Sequence, residues 1–209
     1  MALRVNSLSV LLLCAATGAA QQQKSAPIVQ PGAPGKSTRT IAPAAVKPAA
    51  KSPAQADVEF MQGMIHHHAQ AVEMVDLLRT RGASKALQAL GERMTISQSD
   101  EIEFMKKWLR DRSKPVMMAH DASNKMPMMP GMLTPEQMEE LGKAKGAAFD
   151  RLFLTGMIQH HTGALVMVDD LFAVPGAGQD STIYDFATDI DNTQRAEIEV
   201  MRGLLKEIK

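Results

Sequence analysis

From Asp57 onward, apolar residues recur every three or four positions, which is the spacing of a helix that buries one face. The first such segment is predicted to form a helix that is capped by Asp57 and ends just before Gly82. The stripe that this helix would bury consists of Phe60, Met64, His67 or His68, Ala71, Met74 or Val75, and Leu78.

A second helix is predicted over about 84–110, again with one apolar side. That side consists of Leu87, Leu90, Met94, Gln98, Glu101, Met105 and Trp108. The next segment, 113–133, contains three prolines and is predicted to be a loop.

The segment 134–137 is predicted to start a short helix, with Thr134 as the cap, Pro135 at the first position and Gln137 three residues after the cap. This helix is expected to break near Gly146. Two further long helices are predicted over about 149–172 and 181–208, on either side of a Pro-Gly turn. The chain shows no convincing strand pattern.

The strongest pattern is an internal repeat. The segment 60–68 matches 153–161, so that the pair His67-His68 recurs as His160-His161, and 98–105 matches 194–201. The chain from 57 to 209 is therefore predicted to be a helical hairpin written twice, with repeats of about 57–110 and 150–208. Two hairpins with one apolar stripe each pack most simply as an all-α, up-down-up-down four-helix bundle.

In that topology the first and third long helices run parallel, so that equivalent residues lie at equal heights. The pair His67-His68 would then face His160-His161 across the core. Met64 and Met157 would lie one turn toward the helix starts, and Met74 and Met167 roughly 9–10 Å further along.

Imidazole nitrogen and thioether sulfur on one face form a soft to borderline donor set, which among common metals suits copper best, as Cu(I) or Cu(II). Zinc is less suited, because methionine does not help to bind it. Gln98 and Gln194 could orient the imidazoles by hydrogen bonds. The predicted metal ligands are Met64, His67, His68, Met74, Met157, His160, His161 and Met167.

Each of these residue types also has a structural interpretation. Methionine at helical spacing commonly fills a core, and one buried histidine is more often hydrogen-bonded than metal-bound. The repetition of a costly pair of imidazoles at matched places favours metal binding. His66 has no histidine counterpart and is expected to be exposed. The loop methionines, between Met117 and Met132, fit either Cu(I) capture or a lid on the bundle.

The N-terminal part of the chain has a different composition. Residues 1–20 contain one Arg, an apolar run and a small-residue ending, which predicts a cleavable signal peptide and a periplasmic or secreted protein. Residues 21–56 hold six prolines, five basic residues and no acidic residue, and are predicted to be a disordered linker. No run long enough for a permanent membrane span follows.

Charge and motifs exclude several function classes. All 23 acidic residues lie at or after Asp57, whereas six of the 23 basic residues precede it, so the helical part is net negative and poorly suited to nucleic acid. No Glu precedes a His by three positions, as di-iron carboxylate bundles require. No haem-attachment, phosphate-binding or zinc-protease motif occurs. We therefore expect a binding protein rather than an enzyme.

The two His-His motifs, each with Met three residues before and six after, resemble those of family 305 of bacterial domains of unknown function (DUF305). So do the segments 98–105 and 194–201 and the sequence Met-Pro-Gly-Met at 129–132. The chain differs at Leu154, where the first repeat has Met61, and at His66. The resemblance implies a ferritin-like bundle and, for some members, periplasmic copper binding with a role in copper tolerance.

The sequence thus predicts an exported protein that sequesters or ferries copper. Two other interpretations stay open at this level: a copper redox enzyme built on the bundle, and a metal-free structural or partner-binding bundle. Copper ions are the expected partner, and a copper-delivery protein or a second copy of the chain is a further candidate.

Overall fold

The computed structural model of the chain describes residues 28–30, 39–41, 52–118 and 127–208, which divide between two units, Met1–Lys51 and Ser52–Lys209. The predicted signal peptide lies outside the described residues. In the first unit, β1 (Ile28–Gln30) pairs antiparallel with β2 (Arg39–Ile41). The expectation that the chain has no strand is wrong for these residues, because Ile, Val and Thr favour extended pairing even within a Pro-rich segment.

The described part of the second unit contains five helices, whose bounds lie within three residues of the predicted ones where bounds were predicted. None of these helices is long and apolar enough to cross a membrane. They are α1 (Gln55–Arg81), α2 (Lys85–Asp111), α3 (Pro135–Lys143), α4 (Gly146–Ala173) and α5 (Ser181–Glu207).

The helix starts show which caps the sequence predicts correctly. At α3 the Thr134 hydroxyl accepts a hydrogen bond from the Gln137 amide, and the Gln137 side chain accepts one from the Thr134 amide, so this cap is confirmed. The predicted cap of α1 is wrong. This helix begins two residues before Asp57, whose carboxylate accepts a hydrogen bond from the Ala54 amide at 3.0 Å.

The all-α, four-helix fold is confirmed, but the second hairpin, α4 with α5, runs in the opposite direction to the prediction. α1 packs against α2 and α4, and α4 packs against α5. Gly63 lies beside Met167, and Gly156 lies beside Met74, so α1 and α4 are antiparallel neighbours. The helices therefore run up-down-down-up along the chain, and the pseudo-twofold axis that relates the repeats is perpendicular to α1 and α4.

The connection between α2 and α3 explains this direction, because it crosses from one end of the bundle toward the other. We call its described parts, 112–118 and 127–134, the strap. The side chain of Gln62 donates hydrogen bonds to the Pro115 and Met117 carbonyls, and Gln70 exchanges two hydrogen bonds with the Leu133 backbone. The strap thus lies along α1 and reaches the start of α4 through α3.

Glycines allow the strap to approach α4 closely. Gly131 has a φ of +77°, and a β-carbon on Gly163 would lie 1.9 Å from the Pro130 carbonyl oxygen. No side chain fits at either position without a shift of the backbone. The strap is therefore held by hydrogen bonds on α1 and by close backbone packing on α4.

Two buried aspartates connect the repeats reciprocally. Asp150, at the start of α4, accepts hydrogen bonds from the amides of Ala83 and Ser84 in the α1–α2 turn. Asp57, its counterpart at the start of α1, accepts one at 2.7 Å from the Gly178 amide in the α4–α5 turn. Each repeat thus satisfies backbone donors of the other, as buried amides require.

The core divides into two clusters that the pseudo-twofold axis exchanges. We call them the Gly63 half and the Gly156 half, after the glycine on the inner helix of each. The Gly63 half contains Met61, Met64, Met105, Met167 and Ile183 among others. The Gly156 half contains Met74, Met94, Met157, Met201 and Ile198 among others.

Candidate metal centre

The four predicted histidines lie in the middle of α1 and α4. All four side chains are completely buried, with 0% of each residue exposed. The buried residues are His67, His68, His160 and His161. Because a buried imidazole is costly unless its nitrogens are bonded, the partner of each nitrogen indicates what the site can do.

His67 and His160 meet at the α1–α4 interface, with ring centroids 3.7 Å apart. The Nε2 atom of His67 lies 3.0 Å from the Pro130 carbonyl oxygen of the strap. The Nε2 atom of His160 lies 2.9 Å from the His67 carbonyl oxygen. A carbonyl oxygen only accepts, so both rings carry their proton on Nε2 and donate it.

His68 and His161 face away from this pair, each toward the second helix of its own repeat. These helices, α2 and α5, are the outer helices of the bundle. The Nε2 atom of His68 lies 2.6 Å from a carboxylate oxygen of Glu101, and that of His161 lies 2.6 Å from one of Glu197. Ser97 donates a further hydrogen bond to Glu101 at 2.8 Å. Each outer helix therefore supplies one carboxylate that fixes one imidazole.

The second nitrogen of each ring has no partner among the residues that the structure describes. Within the described part of the chain, the Nδ1 atoms of His67, His68, His160 and His161 are buried and have no hydrogen-bond partner. An imidazole whose one nitrogen donates to a carbonyl or carboxylate while the other presents a lone pair is the usual form of a metal-binding histidine.

Burial keeps the central pair neutral. Desolvation, with the neighbouring imidazole charge of His68 as a smaller contribution, lowers the pKa of His67 to about 3. Desolvation and the proximity of His67 hold the pKa of His160 well below its usual value. Both rings are therefore uncharged at neutral pH, and their Nδ1 lone pairs are available without loss of a proton.

For the Glu101 carboxylate, interactions with neighbouring groups outweigh the effect of burial on the pKa. Burial alone would raise the pKa of Glu101, but the hydrogen bond and charge of His68 together with the Ser97 hydroxyl hold this pKa below its usual value. Glu101 is therefore ionised at neutral pH and accepts from His68.

The four imidazoles do not form one four-nitrogen cage. The ring centroids of His68 and His67 are 6.2 Å apart, and so are those of His161 and His160. Over residues 52–118 and 127–208, no group of three or more His, Cys, Asp or Glu side chains could hold one ion. Any metal site here must therefore complete its ligands with other donors, of which methionine is the abundant one.

The predicted methionines are buried and flank the imidazoles, but their pairing differs from the prediction. Met64 packs in the Gly63 half with Met167, and Met157 packs in the Gly156 half with Met74. A parallel arrangement of α1 and α4 would place Met64 level with Met157. The pairs are exchanged because α4 runs antiparallel to α1.

Two polar residues act differently from the prediction. The amides of Gln98 and Gln194 are buried, yet neither makes a hydrogen bond to an imidazole or to any other described group. Glu101 and Glu197 orient the outer imidazoles instead. Their spacing one turn from the glutamines, on the same predicted stripe, is the sequence signal that could have indicated this role.

We call the four buried histidines the imidazole layer. The other candidate residues are not part of it. His66 is half-buried rather than exposed. In the strap, Met117 and Met128 are exposed, Met118 and Met129 are half-buried, and Met132 is buried. His120 and Met126 lie outside the described residues.

Comparison with known proteins supports the assignment of the fold. Residues 57–205 match the family model described as "Domain of unknown function (DUF305)". The fold is similar to that of a DUF305 protein from Streptomyces coelicolor, with 29% identity, a TM-score of 0.65 and coverage of 73% of this chain and 93% of that chain. A DUF305 fragment from Deinococcus radiodurans gives 27% identity, a TM-score of 0.62 and coverage of 74% and 98%.

A third similar structure is CopM in its Cu(I)-bound form, with 25% identity, a TM-score of 0.57 and coverage of 72% of this chain and 96% of that chain. CopM has also been solved in an Ag-bound form. No curated protein sequence matches the chain. The match to the family model spans most of the helical part, and the chain belongs to the DUF305 family.

Proposed function

We propose that this protein is an exported copper-binding protein, which sequesters or ferries copper and serves copper tolerance or homeostasis. The ligands come from the imidazoles of His67, His68, His160 and His161 and from the flanking thioethers of Met64, Met74, Met157 and Met167. The observation that carries the proposal is the set of four buried Nδ1 atoms without a partner among the described residues.

Without a ligand, these four nitrogens are costly to the folded state. A buried polar atom without a hydrogen bond costs about 1–3 kcal/mol. Four of them at positions related by the repeat are a substantial burden for a small bundle, whose net stability is about 5–15 kcal/mol. Metal binding accounts for them, because each ring is already oriented through Nε2.

The donor chemistry supports copper. Thioether is a soft donor that favours Cu(I), and neutral imidazole binds copper well, whereas zinc gains nothing from methionine. The similarity to CopM, whose solved forms include Cu(I) and silver, supports the same metal class. The proposal concerns metal binding and includes no catalytic reaction with oxygen or another substrate.

The proposed location follows from the N-terminal sequence. A basic residue, an apolar run and a small-residue ending in residues 1–20 are typical of a cleaved export signal. Copper handling outside the cytoplasm would not depend on thiols, and the single Cys of the chain, Cys14, lies within this signal.

The test uses glutamine in place of histidine, because the second repeat itself has Gln159 where the first has His66. The variant with His67, His68, His160 and His161 all changed to Gln should lose at least a hundredfold in Cu(I) affinity, measured by competition with a chromophoric chelator. His66→Gln is the matched control and should retain wild-type affinity. Equal affinity of the fourfold variant and the wild type would refute the ligand assignment.

A second measurement separates binding from a purely structural bundle. A ligand that binds only the folded state raises the melting temperature, and the rise grows with the logarithm of the ligand concentration above Kd. Copper should therefore raise the melting temperature of the wild type and of His66→Gln by clearly more than that of the fourfold variant. Turnover of an added substrate by the copper-loaded protein would contradict the assignment as a binding protein.

A further inference from the structure

The strap carries methionines that the buried imidazole layer does not use. Its first part is fixed to α1 by the two hydrogen bonds from Gln62 to the Pro115 and Met117 carbonyls. Its second part is fixed by the contact of His67 with the Pro130 carbonyl. Met118 and Met129, which adjoin these anchors, are therefore held in place by the backbone rather than free in a loop.

Three methionine ends converge on one point of α1. The position that a β-carbon on Gly63 would occupy lies 3.0 Å from the Met129 sulfur and 3.9 Å from the Met118 sulfur. The same position lies 3.3 Å from the methyl carbon of Met167, which is bonded directly to its sulfur. The absence of a side chain at Gly63 creates the space that the three thioethers share.

The second repeat provides an internal comparison. Gly156 is the counterpart of Gly63, and its β-carbon position lies 3.0 Å from Leu133 and 3.3 Å from the methyl carbon of Met74. The glycine and the helix methionine are thus repeated, but the strap contributes hydrocarbon in the Gly156 half and sulfur in the Gly63 half. Packing alone needs no sulfur here, since leucine fills the equivalent place.

Accessibility also favours a ligand role. Met118 and Met129 are half-buried, so solvent reaches them, whereas Met167 beneath them is only 8% exposed. The sulfur of the neighbouring Met132 already accepts a hydrogen bond from the Met129 amide at 3.4 Å. The donors that remain for an ion are the other three sulfurs.

We propose that Met118, Met129 and Met167 form an outer thioether site over Gly63 that binds a soft monovalent cation, Cu(I) or Ag(I). Uncharged thioethers bind such ions and discriminate against zinc and other harder divalent ions. The site uses no imidazole and shares only Met167 with the ligands proposed above, and it lies on the strap whose Pro130 carbonyl accepts from His67. The identity of the cargo as copper rests on the proposed function.

The test counts bound ions by native mass spectrometry with Ag(I), which has no second oxidation state to complicate the count. Met118→Leu/Met129→Leu should bind one Ag(I) fewer than the wild type and the same amount of Zn(II). The matched control is Met117→Leu/Met128→Leu, which changes two exposed methionines of the same strap and should bind the wild-type number of Ag(I) ions. Equal Ag(I) counts in the two double variants would overturn the proposal.

Two further variants make the result independent of folding defects and of the imidazole layer. Gly63→Ala places a methyl group against the Met129 sulfur and should weaken this Ag(I) site about tenfold, whereas Gly156→Ala should leave it unchanged. The fourfold His-to-Gln variant should keep the outer ion. If that variant binds copper like the wild type while Met118→Leu/Met129→Leu still loses one Ag(I), the proposed function fails and the outer site stands.

Discussion

The Gly63 half and the Gly156 half are built from equivalent parts of the two repeats, but different side chains of the strap cover them. Over Gly63 the strap places Met118 and Met129, and over Gly156 it places Leu133. The strap connects the two repeats only once, so it has no counterpart related by the pseudo-twofold axis. A duplicated hairpin therefore gives two equivalent interiors, and the single connection between them is what makes the two halves chemically different.

The largest effect should come from a fall in pH, which should destabilise the metal-free protein through both central imidazoles, one from each repeat. In the metal-free protein the pKa of His67 falls from 6.5 unfolded to about 3 folded, and that of His160 is also lowered. The unfolded state therefore binds more protons in this range, and stability that is complete above pH 6.5 is lost as the pH falls toward 3. The loss approaches about 1.4 kcal/mol per pH unit for each ring.

Urea unfolding of the metal-free protein at pH 7, 6 and 5 measures this slope. His67→Gln and His160→Gln should each flatten it, and by similar amounts, because the two rings are related by the repeat. A free energy of unfolding that does not change between pH 7 and pH 5 would contradict the buried, neutral state of the pair.

The next largest effect should come from forcing the strap off α4. Gly163→Ala would place a β-carbon 1.9 Å from the Pro130 oxygen, so the backbone must move and the Pro130 contact with His67 must weaken. We expect a loss of about 3 kcal/mol in the free energy of unfolding. Gly142→Ala is the control: a β-carbon there meets no atom within 4 Å, and alanine should slightly stabilise α3.

The reciprocal aspartates test the equivalence of the two turns. Asp150→Ala leaves two part-buried amides without their acceptor, and Asp57→Ala leaves the buried Gly178 amide without one, so each should cost about 2 kcal/mol in urea unfolding. Asp76→Ala removes only an exposed ion pair with Arg79 and should change stability by less than about 0.5 kcal/mol. A large difference between the two buried variants would break the symmetry proposed for the turns.

The buried glutamines should give a smaller effect of opposite sign. Gln98→Met and Gln194→Met remove amides that have no partner among the described groups, and each should stabilise the metal-free protein by about 1 kcal/mol. Gln62→Met is the matched control, because the amide of Gln62 donates two hydrogen bonds to the strap and its loss should destabilise. Destabilisation by Gln98→Met would show that this amide has a partner.

The smallest change should be Leu133→Met, which gives the Gly156 half one strap sulfur where the Gly63 half has two. Leucine and methionine have similar volumes, so the free energy of unfolding should change by less than about 1.5 kcal/mol. We expect the variant to bind one more Ag(I) than the wild type, with the methionine sulfur close to Met74. An unchanged ion count would show that sulfur in this half does not create a second outer site.

The sequence predicts the helices and their equivalence well, because helical spacing, the Thr134 cap and the repeated motifs are local features. It does not predict the direction of α4, since the same repeat is compatible with a twofold axis along or across the bundle. The available signal was the length of the connection: a helix of 27 residues is about 40 Å long, and the segment between α2 and α4 is long enough to span it.

The burial of the proposed ligands could be predicted from the sequence, but their arrangement could not. The burial of all eight predicted ligands follows from their positions on the apolar stripes. Which methionine pairs with which, and which nitrogen of each ring is free, depends on contacts between distant segments such as Pro130 with His67. The convergence of Met118 and Met129 on Gly63 depends in the same way on where the strap is anchored.

The exchange of aspartates between the repeats bears on how such a chain arises. A lone hairpin carries the carboxylate but not the turn that this carboxylate serves, so on its own it would leave amides such as those of Ala83 and Ser84 without a protein acceptor. Two copies related by a dyad would satisfy each other. The interlock is thus the contact expected of a symmetric homodimer, and joining its subunits into one polypeptide would preserve it unchanged.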